Sequence, residues 1–169
     1  MADAAGGHPE MAVGTGRVIL SVDAMGGDSG PATVVAGLSR FLKRAPDAAI
    51  LLHGPEETLR PLVDKRSLGD RVTIVHAPDT VAMTDKPSQV MRHGKSTSMW
   101  SAIEAVRDGR ASVCVSCGNT GALMAVSMIR LRKVDGVNRP AIACLWPSRN
   151  PQGFNVMLDA GADIRADQD

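Results

Sequence analysis

The chain has 169 residues, 44% of them hydrophobic and 22% charged, which suits one ordinary globular domain and excludes collagen-like or low-complexity disorder. A formal net charge of +1 and an aromatic content of 2% supply neither the field nor the stacking platforms of a nucleic-acid binder, so nucleic acid is not expected as a partner. Met1 to Arg17 is small, Gly-rich and polar, and no later apolar run approaches the ~20 residues of a spanning helix. A cytoplasmic protein is expected, with peripheral contact at the inner face of the membrane left open, and residues 1–16 read as a disordered tail ahead of an α/β domain at 17–169.

From Val18 onward short apolar runs alternate with amphipathic stretches. The runs Val18–Val22, Ala49–His53, Val72–His76, Ser112–Ser116, Ala141–Leu145 and Asn155–Asp159 read as buried strands. Their uniform apolarity suits a parallel sheet covered on both faces. Between the first two, Pro31 opens a helix carrying Val34, Val35, Leu38, Phe41 and Leu42, with Lys43 and Arg44 at its end. Ser96 or Thr97 can cap a second helix running through Met99, Ile103 and Val106, and Ala122 to Leu131 reads as a third. The alternation predicts a three-layer, doubly wound, Rossmann-like α/β fold, with one sheet face bare if the covering elements end at Asp169.

In such a sheet ligands bind beyond the carboxyl ends of the strands, which directs attention to the loops there. The first, Asp23-Ala-Met-Gly26-Gly27-Asp28-Ser-Gly30, sets two carboxylates around glycines that allow close backbone approach. A tight turn with Asp28 or Ser29 capping the helix reads the same. The loop Ser116-Cys-Gly118-Asn119-Thr120-Gly121 can turn successive N–H groups and a helix N-terminus onto one anion, although a Gly-x-x-Gly turn can also be purely structural. Between them, Asp85 to Met99 gathers Arg92 and Lys95, which can hold phosphate or merely face solvent.

Cys114 and Cys117 have redox spacing, but Cys114 falls inside a strand and Cys117 in a turn, so a buried small hydrophobe and a turn residue are the plainer assignments. No second Cys or His pair at ligand spacing accompanies them, so no metal is expected. His53 and His76 end strands and read as core or loop hydrogen-bonding groups. Phosphate-loop, nucleophile-elbow and dinucleotide fingerprints do not occur.

Taken together and in this order, Val22 to Asp28 with Gly30-Pro31, Met91-Arg92 with Ser98-Met99, Val115 to Met124, Arg139 to Ala141, and Leu158 to Ala162 resemble the PlsX family of acyl-(acyl-carrier-protein):phosphate acyltransferases. The resemblance runs from Val18 to Asp163. It implies a Rossmann-like fold similar to phosphotransacetylases and isopropylmalate dehydrogenases, and transfer of a fatty acyl group from acyl carrier protein to inorganic phosphate, giving acyl phosphate for phospholipid synthesis. It implies a homodimer, no cofactor, and a membrane glycerol-3-phosphate acyltransferase as downstream partner.

On that resemblance Asn119 and Lys95 take catalytic roles, while Asp23, Gly26, Gly27, Asp28, Arg92, Ser116, Gly118, Thr120, Gly121 and Asp159 bind or shape the phosphate and acyl site. Cys117 replaces the family's usual Ala, and Asp163 its frequent Asn. Family members continue for about as many residues again, so the chain alone is expected to be weak or inactive. Two rival readings share the anion loops: a phosphotransacetylase-like transferase using coenzyme A thioesters, and a non-catalytic phosphate- or acyl-binding module.

Overall fold

The computed structural model describes residues 18–137 and 140–158. Four of the apolar runs form one parallel sheet: β1 (Ile19–Asp23), β2 (Ala49–Gly54), β3 (Val72–His76) and β4 (Val113–Ser116), in the spatial order β3-β2-β1-β4. Leu20 lies opposite Ile50 on one side and Val113 on the other, and Asp23 lies between His53 and Ser116. The chain therefore winds outward from β1 through β2 to β3, then crosses back to the other side of β1. That reversal opens a crevice at the carboxyl ends of β1 and β4.

Strand residues alternate between two helical layers. Val22, Ile50 and Leu52 pack with Val35, Leu38 and Leu42 of α1 (Gly30–Arg44) and with Leu59 and Val63 of α2 (Glu56–Asp64). The opposite face meets α4 (Ser98–Arg107). There Met99, Trp100 and Ile103 form a second core with Val90 of α3 (Pro87–His93) and with Ala122 and Val126 of α5 (Thr120–Arg130). Pro31 stands in the first turn of α1, where its missing N–H costs nothing, and Lys43 and Arg44 sit in the last turn, where the dipole favours cations. Thr97 caps α4 by accepting the Trp100 N–H at 3.3 Å. The predicted α/β sandwich is thus present, with α1, α4 and α5 where the periodicity places them.

The sequence signal missed α2. Its Pro61 lies inside the helix and it buries only Leu59 and Val63, with Leu62 partly buried beside them, but Glu56 and Glu57 suit its N-terminal dipole. The last two runs depart from expectation more strongly. β5 (Ala143–Pro147) and β6 (Phe154–Leu158) do not extend the parallel sheet; they pair with each other antiparallel, and Leu145, Trp146, Val156 and Leu158 are exposed. The connection through 148–153 is too short for a parallel crossover, which needs a dozen or more residues. It closes instead as a turn in which the Ser148 N–H donates to the Gly153 carbonyl at 2.9 Å.

Candidate functional site

The crevice at the ends of β1 and β4 is organised around a buried carboxylate. Asp23 is 2% exposed, and its two oxygens are shared among three donors. Oδ1 accepts from the Ser98 hydroxyl at 2.7 Å and from the Met25 N–H at 3.2 Å, while Oδ2 accepts from the Ser116 hydroxyl at 2.8 Å. Ser116 has spent its proton on Asp23, so its oxygen is free to accept the Gly118 N–H at 3.1 Å. One carboxylate thereby ties together the end of β1, the first turn of α4 and the loop after β4. These bonds offset the cost of burying so polar a side chain.

The two glycine loops then touch backbone to backbone. A Cβ on Gly26 would stand 2.6 Å from the Gly118 nitrogen and 2.8 Å from its Cα, closer than any real side chain comes. Gly27 has φ +97°, which favours glycine, and a Cβ there would meet Cys117 at 3.1 Å. These residues are glycines because the Asp23 and Ser116 loops pack without space between them.

Asn119 caps α5. Its Oδ1 accepts the Ala122 N–H at 3.0 Å, and its Nδ2 donates to the carbonyls of Ala82, Met83 and Asp85 at 3.2, 3.2 and 2.9 Å. The side chain thus clamps the 82–85 loop to the helix start, with the Nδ2 hydrogens committed to that loop. The neighbouring amides of Thr120 and Gly121, in the first turn of this 11-residue helix, have no acceptor among the described residues. They are the groups able to receive an anion, at the positive end of the α5 dipole. Gly121 is in turn pressed by Pro87 of α3, whose Cγ would lie 3.1 Å from an added Cβ.

Of the expected site residues, Asp23, Gly26, Gly27, Ser116 and Gly118 come together, and Asn119, Thr120 and Gly121 continue directly from them. Asp28 is exposed and lines the same groove as Gly26, Gly27 and Ser116. Ser29 starts α1 without a side-chain cap, so neither it nor Asp28 serves as the cap that the turn reading expected. Arg92 and Lys95 are exposed. Lys95 borders a depression with Trp100, Ser101, Glu104 and Arg130, and neither cation shares a hydrogen bond with Asp23 among the described residues. Asp159 and Asp163 lie outside the described residues.

Three neighbours carry no role in the sequence reading. Ser98 is one, although it begins the helix beside the second expected loop. The other two support His53, which is fully buried between Ser21 and Ser101. Ser21 donates to the Ala102 carbonyl at 2.8 Å, so toward His53 Nε2, 2.9 Å away, it acts as acceptor. Nε2 therefore carries the proton and Nδ1 accepts from Ser101 at 2.8 Å. Burial, reinforced by Arg110, lowers the His53 pKa to about 4, so the ring is neutral at pH 7 and cross-links β1, β2 and α4. Beneath the site, burial and the nearby Asp23 charge push the Cys114 thiol up to about 11, which makes it inert, whereas Cys117 is exposed in the loop.

Comparison with known proteins gives a consistent answer. The model of the fatty acid synthesis protein family matches residues 18–169. A phosphate acyltransferase of Cereibacter sphaeroides (strain KD131) is 68% identical over 157 residues, covering 92% of this chain and 42% of the relative. Phosphate acyltransferases of Dinoroseobacter shibae and Ruegeria pomeroyi are 69% and 64% identical over 154 residues each, covering 90% of this chain and 40% and 42% of their own lengths. The chain spans about two fifths of the length of these curated relatives. With its Asp23–Ser116 crevice and α5 amide turn inside the matched stretch, the chain belongs to the fatty acid synthesis protein family to which its loop motifs pointed.

Proposed function

We propose that this chain forms the N-terminal part of an enzyme that transfers a fatty acyl group from acyl carrier protein to inorganic phosphate. The observation that carries this reading is the pair of unclaimed amides at the start of α5, beside a loop fixed by Asp23 and Ser116, in a chain 68% identical to a phosphate acyltransferase.

Phosphate sits on the Thr120 and Gly121 amides and the α5 dipole. A phosphate oxygen attacks the thioester carbonyl carbon; the C–O bond forms, the C–S bond breaks, and the proton of hydrogen phosphate ends on the carrier sulfur. No enzyme-bound acyl intermediate is needed. Alignment of the two reactants can supply about 7–11 kcal/mol of the barrier in favourable cases, and one well-placed oxyanion donor about 2.7–4 kcal/mol. Asp23 positions the loop and does not touch phosphate. Arg92 and Lys95, exposed on the α3–α4 segment, serve to attract the acidic carrier protein rather than to hold the reacting anion. A homodimer, delivery of acyl phosphate to a membrane glycerol-3-phosphate acyltransferase, and peripheral membrane association belong to the same reading. No helix among the described residues is long and apolar enough to cross a membrane.

The test joins this chain to the segment that follows the matched stretch in the Cereibacter sphaeroides relative, and follows carrier-thiol release against phosphate concentration. Saturable phosphate dependence, with kcat reduced at least tenfold by Ser116→Ala in a folded protein, is expected. Release indifferent to phosphate would overturn the assignment.

A further inference from the structure

Ser98 opens α4, yet the helix makes no use of its hydroxyl. Thr97 is already the cap, accepting the Trp100 N–H at 3.3 Å, and the Ser98 N–H donates to the Asp79 carbonyl at 2.9 Å. Ser98 is 1% exposed, a setting in which alanine forms helix better and costs less to bury. The hydroxyl is directed into the sheet instead. It donates to Asp23 Oδ1 at 2.7 Å; Asp23 Oδ2 accepts from Ser116 at 2.8 Å, and the Ser116 oxygen takes the Gly118 N–H at 3.1 Å. The next residue of α4 reaches the same peptide by packing. Met99 is 1% exposed, and its Cε would lie 3.2 Å from a Cβ added to Gly118. Two supports of the buried Gly118 peptide therefore issue from the first turn of α4, and the contact with Gly26 is a third.

We infer that Ser98 is a positioning residue for the anion turn: acting through Asp23 and Ser116, its hydroxyl fixes the 116–118 stretch that leads into the Thr120 and Gly121 amides. Asp23 Oδ1 has the Ser98 hydroxyl and the Met25 N–H as donors. Without Ser98, the Met25 bond at 3.2 Å is left to hold that oxygen, and the carboxylate can turn about its Cβ–Cγ bond, taking Ser116 with it. Ser116 then no longer presents its lone pair to Gly118, and the backbone beside the anion amides loosens. The helix itself stays, because Asn119 caps α5 by bonds that do not involve Asp23. Ser98 thus touches neither phosphate nor thioester, yet governs how closely phosphate seats. The consequence for phosphate rests on the proposed function; the link from Ser98 to Gly118 does not.

The experiment has one arm without turnover and one with it. In this chain, hydrogen exchange at the Gly118 amide is read by NMR against the Leu52 amide deep in the sheet, which reports global opening. Ser98→Ala should speed Gly118 about fivefold relative to Leu52, the worth of roughly one hydrogen bond. Ser101→Ala is the control: it removes a hydroxyl one turn further along α4 that bonds His53 and not Asp23, and it should leave Gly118 unchanged relative to Leu52. In the chimera of this chain with the relative's following segment, kcat/KM for phosphate should fall about fivefold in Ser98→Ala, with KM for the acyl thioester unchanged. Adding Ser98→Ala to Ser116→Ala should cost nothing further, since both act through one carboxylate. Equal Gly118 exchange in wild type and Ser98→Ala would overturn the inference. So would full additivity of the two substitutions, which would make Ser98 a packing residue only. If Gly118 responds as expected while the unsubstituted chimera shows no phosphate dependence, the positioning link stands and the proposed reaction fails.

Discussion

Lowering the pH tests the buried Ser21–His53–Ser101 link quantitatively. His53 in the unfolded chain titrates near 6.5, and in the folded chain near 4. Between those values the unfolded state binds more protons, so stability is fully present above about pH 6.5 and falls as the pH drops toward 4. Each tenfold difference in proton affinity between the two states is worth about 1.36 kcal/mol, so the loss is about 2 kcal/mol at pH 5 and about 3 kcal/mol at pH 4. Urea unfolding followed by circular dichroism at pH 7 and pH 5 measures it, with His53→Gln as the non-titrating reference. The wild-type protein should lose about 2 kcal/mol more than the variant over that interval. If the variant does not fold, the His53 ring proton followed by NMR gives the midpoint directly. A midpoint near 6.5, or equal pH slopes in the two proteins, would refute the claim that this ring is buried and neutral.

Gly26→Ala sets a Cβ against the Gly118 backbone and should destabilise by about 1–3 kcal/mol, read from the urea midpoint. Gly37→Ala, inside α1 with open space around it, should instead stabilise by about 0.5–1 kcal/mol; the same sign at both positions would contradict the loop contact. Asn119→Ala removes both the α5 cap and the clamp on the 82–85 loop, at a cost of about 2 kcal/mol, while Asn119→Asp keeps the cap and should recover part of it. Faster amide exchange at Ala122 in the Ala variant but not in the Asp variant would distinguish cap from clamp. At pH 8 a thiol reagent should modify Cys117 well before Cys114, whose raised pKa keeps it protonated; preferential modification of Cys114 in the folded protein would oppose its placement beneath the site.

The architecture was legible because its signals are local. Short β-branched runs mark β1 to β4, Pro31 and the spacing of Val35, Leu38 and Leu42 mark α1, and Thr97 marks the cap of α4. The pairing of β5 with β6 was not legible, since an apolar run is the same in a buried parallel strand and in an exposed hairpin. The short connection at 148–153 was the available clue. The site divides in the same way. Gly26, Gly27 and Gly118 could be singled out because a glycine cluster after a strand reports close backbone approach before the partner is known. Asp23 was expected to bind or shape the site, but its ties to Ser98 and Ser116 were not legible, because they depend on contacts 75 and 93 residues apart in sequence. Arg92 and Lys95 were legible as cations near a helix start, and they lie exposed on α3 and the turn after it.

In the proposed function, phosphate itself accepts the acyl group on the α5 turn. The most direct measurement incubates the chimera with palmitoyl-acyl carrier protein and radiolabelled inorganic phosphate, then counts labelled palmitoyl phosphate against free carrier thiol. The two should form in equal amounts and be lost together in Ser116→Ala. Thiol released without labelled acyl phosphate, or labelled product formed equally well by the variant, would contradict it.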